Sequence, residues 1–482
     1  MGALRGAGPR DRALAGRVVG VYASGGAPWH HLALAAAHGA DVRPVRAEDV
    51  AAGRLEQLDA FVVPGGGATA MAGLLAPLGV DGAQRIRAWV GAGGTYVSSC
   101  AGSVLPLALT DEADALLPSA RCLRMVDVPL ANPGDATLGG LASPGVGRIT
   151  VRLDPGHPFA QGLPEHIELV HYNGPLFDVA AAPAGARPFA WPLAATPDFT
   201  PAERFLADPE PVADADTTLA HCLARTAATG LEARVEAGRA LLFGSHPEFG
   251  LGPLLLGWGE GAALLVAALA SCRGPSHRAS DVDDLGWSRH SEQPDTTPPA
   301  LAERASAELL RAATRFEALI ERDAGAWLAP DHAATFHGRD PRRAWSEDCR
   351  AAARVARAAA EALHALAGSL SERERGWLDD APRDDQDFGA MGLSQLLARI
   401  HGMLAAAERA AAQPPQRPAH AYDLFDRHPF HLAVGSYLSA AGLTSAALLI
   451  TQVLAANHDA STPAAEALLW LSHGADLEGG AD

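Results

Sequence analysis

The sequence predicts an α/β fold, a mainly parallel sheet with helices on both faces, followed by a separate all-α domain. Three observations predict it. From Gly16 to about Cys272, short β-rich runs alternate with Ala/Leu-rich helical runs, the order of a parallel sheet crossed by helices. Residues 273–299, "RGPSHRASDVDDLGWSRHSEQPDTTPP", are polar, Pro-bearing and aperiodic, and read as a linker. Beyond them the composition shifts to helices rich in Arg, Glu and Ala. At 482 residues the chain exceeds one ordinary core, so two domains are expected. The divisions are a disordered leader over 1–15, the α/β domain over 16–272, the linker over 273–299, the helical domain over 300–474 and a tail over 475–482.

Each element follows from local pattern. "RVVGVYA" (17–23) reads as a strand and "PWHHLALAAAHGA" (28–40) as a helix ending near Gly39. "DVRPV" and "AFVVPGGG" (60–67) are the next strands. "GAQRIRAWVGAGG" (82–94) is an amphipathic helix with Ile86, Trp89 and Val90 on one side, closed by glycines. "TYVSS" is a strand and "AGSVLPLAL" a helix start. In residues 111–240, "RCLRMVDV", "GRITVRL", "IELVHY" and "RPFAWPLA" read as strands added at the edge of the same sheet, and "RALLFGSH" (239–246) returns to its centre. In the second half, Leu301, Ala305, Leu309, Ala312, Phe316 and Ile320 form one apolar stripe. Similar runs follow at 344–367, 392–412, 430–441, 443–457 and 462–473.

Composition excludes several classes. A net charge of −18 argues against sequence-independent nucleic-acid binding, which needs a basic surface. The chain contains no lysine, so a Schiff base, a P-loop lysine and a biotinyl or lipoyl acceptor are excluded on it. The cysteines Cys100, Cys122, Cys222, Cys272 and Cys349 are odd in number and scattered, without metal-ligand spacing. Neither a disulfide framework nor a metal site is expected; the setting reads as reducing and cytoplasmic, with no cofactor. Leu432–Ala456 is uncharged and long enough to span a bilayer, but Ser436, Ser439, Gly442, Thr444, Ser445 and Gln452 dilute it. Buried helices are expected there, not a membrane segment.

The chemistry-bearing residues lie at strand ends. In "TYVSSCAGSVL" (95–105) a cysteine follows a strand and precedes small residues opening a helix, the layout of a nucleophile elbow. Alone, Cys100 would read as an inert core residue, as the other four cysteines do. "VVPGGG" (62–67) can turn backbone N–H groups towards an oxyanion. "LLFGSHPEFG" (241–250) ends a late strand with His246 and Glu248, a base and the acid that orients it.

This order resembles the class I glutamine amidotransferase-like superfamily, with its Pro-Gly-Gly loop, G-x-C-x-G elbow and late His-Pro-Glu, and hence a flavodoxin-like sheet. The nearest resemblance is to the amidotransferase-like domain at the N-terminus of biotin-protein ligases: "RIRAWVGAGGTYVSSCAGSVL" is similar to its elbow region and "HYNGPLF" (171–177) to its Tyr-x-Gly-Gly-Pro segment. The resemblance covers residues 17 to 270. It implies Cys100 as nucleophile, His246 as general base and acid, and Glu248 as orienting acid. It also implies an oxyanion hole of backbone N–H groups from Gly65 or Gly66 and Ala101, and a pocket wall including Tyr172 and Asn173. The implied reaction is cleavage of a carboxamide, in a small molecule or peptide, through a thioester. Ser98 departs from the elbow glycine, and Asn173-Gly174 replaces Gly-Gly.

Two other readings stand beside this one. The first is a catalytically silent scaffold of the same fold whose helical domain binds a partner protein. The second is a related group of elbow-cysteine proteins that take their acid from an early loop, but here that loop, "YASGGAPWHH" (22–31), has no carboxylate. His30 and His31 read as capping or surface residues. The helical half reads as a docking surface for a partner or a second copy of the chain.

Overall fold

The computed structural model describes residues 13–65, 70–107, 123–132, 145–172, 174–180, 182–196, 200–201, 227–249, 259–274, 295–321, 341–379 and 392–412, together with Thr444, Ala447, Leu448, Ile450, Thr451 and Leu454. In chain order these form β1 (Val18–Tyr22), α1 (Trp29–Ala37), β2 (Asp41–Val45), α2 (Ala47–Ala51), β3 (Ala60–Val63), α3 (Ala70–Gly91), β4 (Thr95–Ser99) and α4 (Ala101–Val104). There follow β5 (Gly145–Leu153), β6 (His166–Tyr172), β7 (Phe177–Asp178), β8 (Ala186–Ala195), β9 (Thr200–Pro201), β10 (Ala227–Ala228), β11 (Gly230–Val235), β12 (Gly238–Phe243) and α5 (Glu260–Ala270). The helical region contributes α6 (Pro298–Ile320), α7 (Pro341–Leu366), α8 (Arg375–Leu378) and α9 (Leu393–Ala411).

One large sheet organises the first region, in the order β2-β1-β3-β4-β12-β11-β8-β5-β6, with β9 paired to β5. The five strands from β2 to β12 run parallel. From β12 onward the pairing is antiparallel, through β11, β8, β5 and β6. The fold is therefore the flavodoxin-like α/β arrangement expected, with β11, β8, β5, β6 and β9 extending the sheet on one side.

Side-chain alternation shows why the parallel strands read as continuous apolar runs. Val19, Val21, Ala60, Val62, Val97, Leu241 and Phe243 face α1 and α5, while Tyr22, Phe61, Val63, Tyr96, Ala240 and Leu242 face α3. Both faces are covered, so β3 and β4 are buried at every position. On the α3 face Phe61 meets Tyr22, Trp89 and Tyr96 edge-on, at centroid separations of 6.2 to 6.5 Å.

Several elements differ from expectation. The helix expected from residue 82 begins at Ala70 and is broken at Gly79, which has a φ of 59°. "RCLRMVDV" is not a strand: its described residues make one isolated bridge, Leu107 to Val126, and a second bridge, Leu130 to Phe177, follows just beyond it. Pro129 directly follows this segment and Pro106 directly precedes its bridge partner Leu107, and neither has an N–H with which to extend a ladder. Strand β11 was not anticipated. It pairs with β12 through a two-residue turn at Glu236 and Ala237, where Glu236 has a φ of 52°. Glu-Ala lacks the Asn-Gly or Asp-Gly signal such turns usually carry.

In the helical region α6 packs along α7 and α9. Leu301, Ala305, Leu309, Ala312 and Phe316 are buried as the stripe predicts, but Leu319 rather than Ile320 completes it. The buried face of α7 is mostly alanine, which lets the two helix backbones approach; Ser306 Oγ donates to the Ala360 carbonyl at 2.8 Å. Arg315 holds Glu408 on α9 through two hydrogen bonds of 2.8 and 3.0 Å. These apolar stripes are continuous with the cluster on the α1 and α5 face of the sheet. Among the described residues no helix is long and apolar enough to cross a membrane. Most of Leu432–Ala456 lies outside them.

Candidate active site

Strands β3, β4 and β12 are neighbours at the centre of the sheet and run parallel, so their carboxyl ends lie side by side. Val63 is level with Ser98, and Phe243 with Ser99. The next residues along each strand are Pro64-Gly65, Cys100 and Gly244-Ser245-His246. The topology thus gathers three segments separated by up to 182 residues at one sheet edge, the usual ligand-binding edge of such folds.

Cys100 directly follows β4 in a strained conformation, φ 48° and ψ −121°, outside the regions an ordinary side chain prefers. Its N–H donates to Phe243 O at 2.8 Å, so the neighbouring strand holds the turn. The following turn requires Gly102, where a Cβ would collide with Val63 O and lie 2.6 Å from Pro64 O. Tyr96 Oη donates to Gly102 O at 2.7 Å from beneath. Ser98, the departure from the expected elbow glycine, has a structural role: its Oγ lies 3.0 Å from Ser103 Oγ, which donates to Phe243 O at 2.7 Å. A buried hydroxyl pair therefore ties the elbow to β12.

His246 is positioned by backbone and ring contacts. Its N–H donates to Val170 O at 2.8 Å, and its imidazole stacks on Phe249 with 4.6 Å between centroids and 11° between planes. Nδ1 lies 2.8 Å from Glu248 Oε1. The ring shares a hydrogen bond with Cys100, and Gly65 sits against both: a Cβ there would lie 2.7 Å from His246 Cε1 and 3.4 Å from Cys100 Cβ. Burial opposes charge on His246, but Cys100 and Glu248 outweigh it and raise the imidazole to about 10. Glu248 is also buried, and burial alone would raise it; His31 and His246 instead bring it down to about 2.

His30 and His31 are not surface residues. Both lie buried in the first turn of α1. His31 Nε2 is 3.2 Å from Ser99 Oγ, and Ser99 Oγ donates to Glu248 Oε1 at 3.0 Å. His30 meets Phe249 edge-on at 4.9 Å between centroids. His171, on β6, is buried with its Nδ1 3.1 Å from Ser245 Oγ. Burial lowers His30 to about 4 and His171 to about 3, and lowers His31 as well.

Of the residues expected at the site, Cys100, His246, Glu248, Gly65 and Ala101 come together here. Gly66 and Asn173 lie outside the described residues, as does the Tyr172 side chain, although Tyr172 closes β6. Ser99, His31, His171 and Phe249 were missed. Phe249 adjoins the His-Pro-Glu motif, and Ser99 adjoins Cys100; the two histidines carry no local signal. Among the described residues no group of three or more His, Cys, Asp or Glu could hold a metal ion.

No family model matches the chain. The chain is similar to the pyridoxal 5'-phosphate synthase subunit PdxT of Mycolicibacterium vanbaalenii, 40% identical over 97 residues, which are 20% of this chain and 46% of that protein. The chain thus spans about half the length of that curated relative. Solved structures with some likeness include a candidate GMP synthase subunit from Thermoplasma acidophilum (TM-score 0.31, 12% identity, 53% of this chain and 94% of that one). Another is a Salmonella typhimurium cytoplasmic protein (TM-score 0.34, 14% identity, 54% of this chain and 99% of that one). Those TM-scores are too low to bear on fold or function. The PdxT similarity supports the glutamine amidotransferase-like resemblance at superfamily level and does not single out the biotin-ligase-like branch.

Proposed function

We propose that the protein is a cysteine-nucleophile enzyme of glutamine amidotransferase type that cleaves a carboxamide C–N bond. The observation that carries this reading is the single connected set Cys100, His246 and Glu248, with the cysteine at a strained elbow and the His246–Glu248 bond at 2.8 Å. Sγ of Cys100 attacks the carbonyl carbon while His246 holds the thiol proton. The oxyanion that forms rests against backbone N–H groups of Ala101 and of Gly65 or Gly66. Collapse breaks the C–N bond, His246 transfers its proton to the leaving nitrogen, and ammonia or an amine departs, leaving a thioester. Water then attacks the thioester, giving one proton to His246. A carboxylic acid leaves, and the thiol is restored.

Tyr172 and Asn173 belong to the pocket wall in this reading, and "HYNGPLF" supports placing the chain nearest the biotin-ligase-associated branch. The relative's designation as part of a synthase supports transfer of the released ammonia to a partner protein; direct hydrolysis of a small amide is the simpler outcome. The five scattered cysteines support a reducing, cytoplasmic setting. Mass spectrometry after exposure to glutamine, other amides and a thiol-directed glutamine analogue tests the reading. An adduct on Cys100, lost in Cys100→Ala and reduced in His246→Ala, is expected. No adduct on Cys100, with ammonia release equal in all three proteins, refutes it.

A further inference from the structure

Glu248 is almost fully buried, and one of its oxygens takes both of its side-chain hydrogen bonds. Oε1 accepts from His246 Nδ1 at 2.8 Å and from Ser99 Oγ at 3.0 Å. Oε2 makes no hydrogen bond and has His31 Nε2 at 3.6 Å. A serine hydroxyl has one proton. Ser99 spends it on Glu248, so towards His31, 3.2 Å away, its oxygen can only accept. His31 must therefore carry a proton on Nε2. The same nitrogen that donates to Ser99 lies 3.6 Å from the second carboxylate oxygen.

Building on the triad reading, we propose that His31, acting through Ser99, is a positioning residue that locks the Glu248 carboxylate. The working unit then runs Cys100, His246, Glu248, Ser99, His31. Its last member comes from α1, which the Gly25-Gly26 loop packs against the Pro64-Gly65 turn; Ala27 N donates to Gly65 O at 3.1 Å. The titratable groups facing the His246–Glu248 pair are Cys100 from the elbow, His30 and His31 from α1, and His171 from β6. Burial keeps the last three neutral near pH 7. Near pH 7 His31 thus acts as an N–H dipole rather than a cation, and the charge of the pair stays with His246 and Glu248.

The test needs no known substrate. The rate of Cys100 alkylation by iodoacetamide, followed on its own peptide by mass spectrometry across pH, reports how well His246 supports a reactive sulfur. Hydrogen bonds to charged groups set the scale, so His31→Leu and Ser99→Ala are expected to slow alkylation at neutral pH by ~10- to 100-fold and to move the rate profile to higher pH. His31→Gln keeps an N–H donor at a similar reach and is expected to restore most of the rate, which a purely packing role would not require. Because His31 acts through Ser99, the double variant is expected to be no slower than Ser99→Ala. Ser99→Ala removes a single oxygen atom and carries the test if His31→Leu does not fold. If His246→Ala leaves the alkylation profile unchanged, the triad reading fails and this inference with it. If His246→Ala slows alkylation while His31→Leu and Ser99→Ala do not, or if their effects add in full, this inference alone is overturned.

Discussion

Replacing Glu248 by Gln tests the electrostatics of the site through folding stability, because the side chain keeps its shape and loses only its charge. Glu248 is depressed from 4.5 to about 2 and His246 raised from 6.5 to about 10, although burial opposes both charges. A depressed carboxylate contributes stability that is present above its unfolded value and is lost as the pH falls through about 2. A raised imidazole contributes stability that is fully present below 6.5 and is lost as the pH rises through about 10. The two shifts share the His246–Glu248 interaction, which is counted once. The rise of His246 also includes Cys100 and the depression of Glu248 also includes His31, so the Glu248 depression, roughly 3 kcal/mol, is an upper bound for the pair. Wild type minus Glu248→Gln, measured by urea denaturation, should therefore be greatest between pH 4.5 and 6.5 and shrink towards both extremes. A difference that stays constant from pH 4 to pH 10 refutes the reasoning, because a packing defect has no reason to titrate.

Other substitutions probe the scaffold around the same chemistry. Gly102→Ala drives a methyl into the backbone carbonyls of Val63 and Pro64, so a loss of ~1–3 kcal/mol in urea denaturation and slower Cys100 alkylation are expected; unchanged values would mean the elbow can move aside. Ser98→Gly restores the elbow glycine of the resembled family but removes the hydroxyl pair with Ser103, at about 1–2 kcal/mol. Cys100 should stay reactive in that variant, and a large loss of alkylation would show that Ser98 has a chemical role. Leu309→Ala, on the buried stripe of α6, should cost ~2–5 kcal/mol in the unfolding transition while leaving native-state alkylation of Cys100 unchanged.

Much of the site was legible because each part carries a local signal. The elbow shows as a cysteine between a strand and small residues, since only glycine fits at position 102 under the carbonyls of Val63 and Pro64. His246 and Glu248 are two residues apart and directly follow a strand, so chain connectivity alone places acid beside base. The hairpin of β11 and β12 was not legible, since its Glu-Ala turn reaches a φ of 52° at Glu236 without glycine or asparagine to announce it. "RCLRMVDV" misled because its apolar content satisfies a core rather than a ladder: Leu123, Val126 and Val128 are buried, and the single bridge from Val126 to Leu107 does not extend into a strand.

By itself, then, the sequence determined the alternation of strands and helices, the elbow at Cys100 and the adjacent base and acid, because these depend on residues within a few positions of one another. Only the tertiary structure decided that β3, β4 and β12 end side by side, which makes three distant segments one site. It likewise decided what surrounds Glu248. His31 lies 217 positions before it, on a helix whose burial no periodicity distinguishes from a surface turn. Histidine is compatible with either environment, and the choice rests on whether a partner such as Ser99 is waiting across the fold, 68 residues further along the chain.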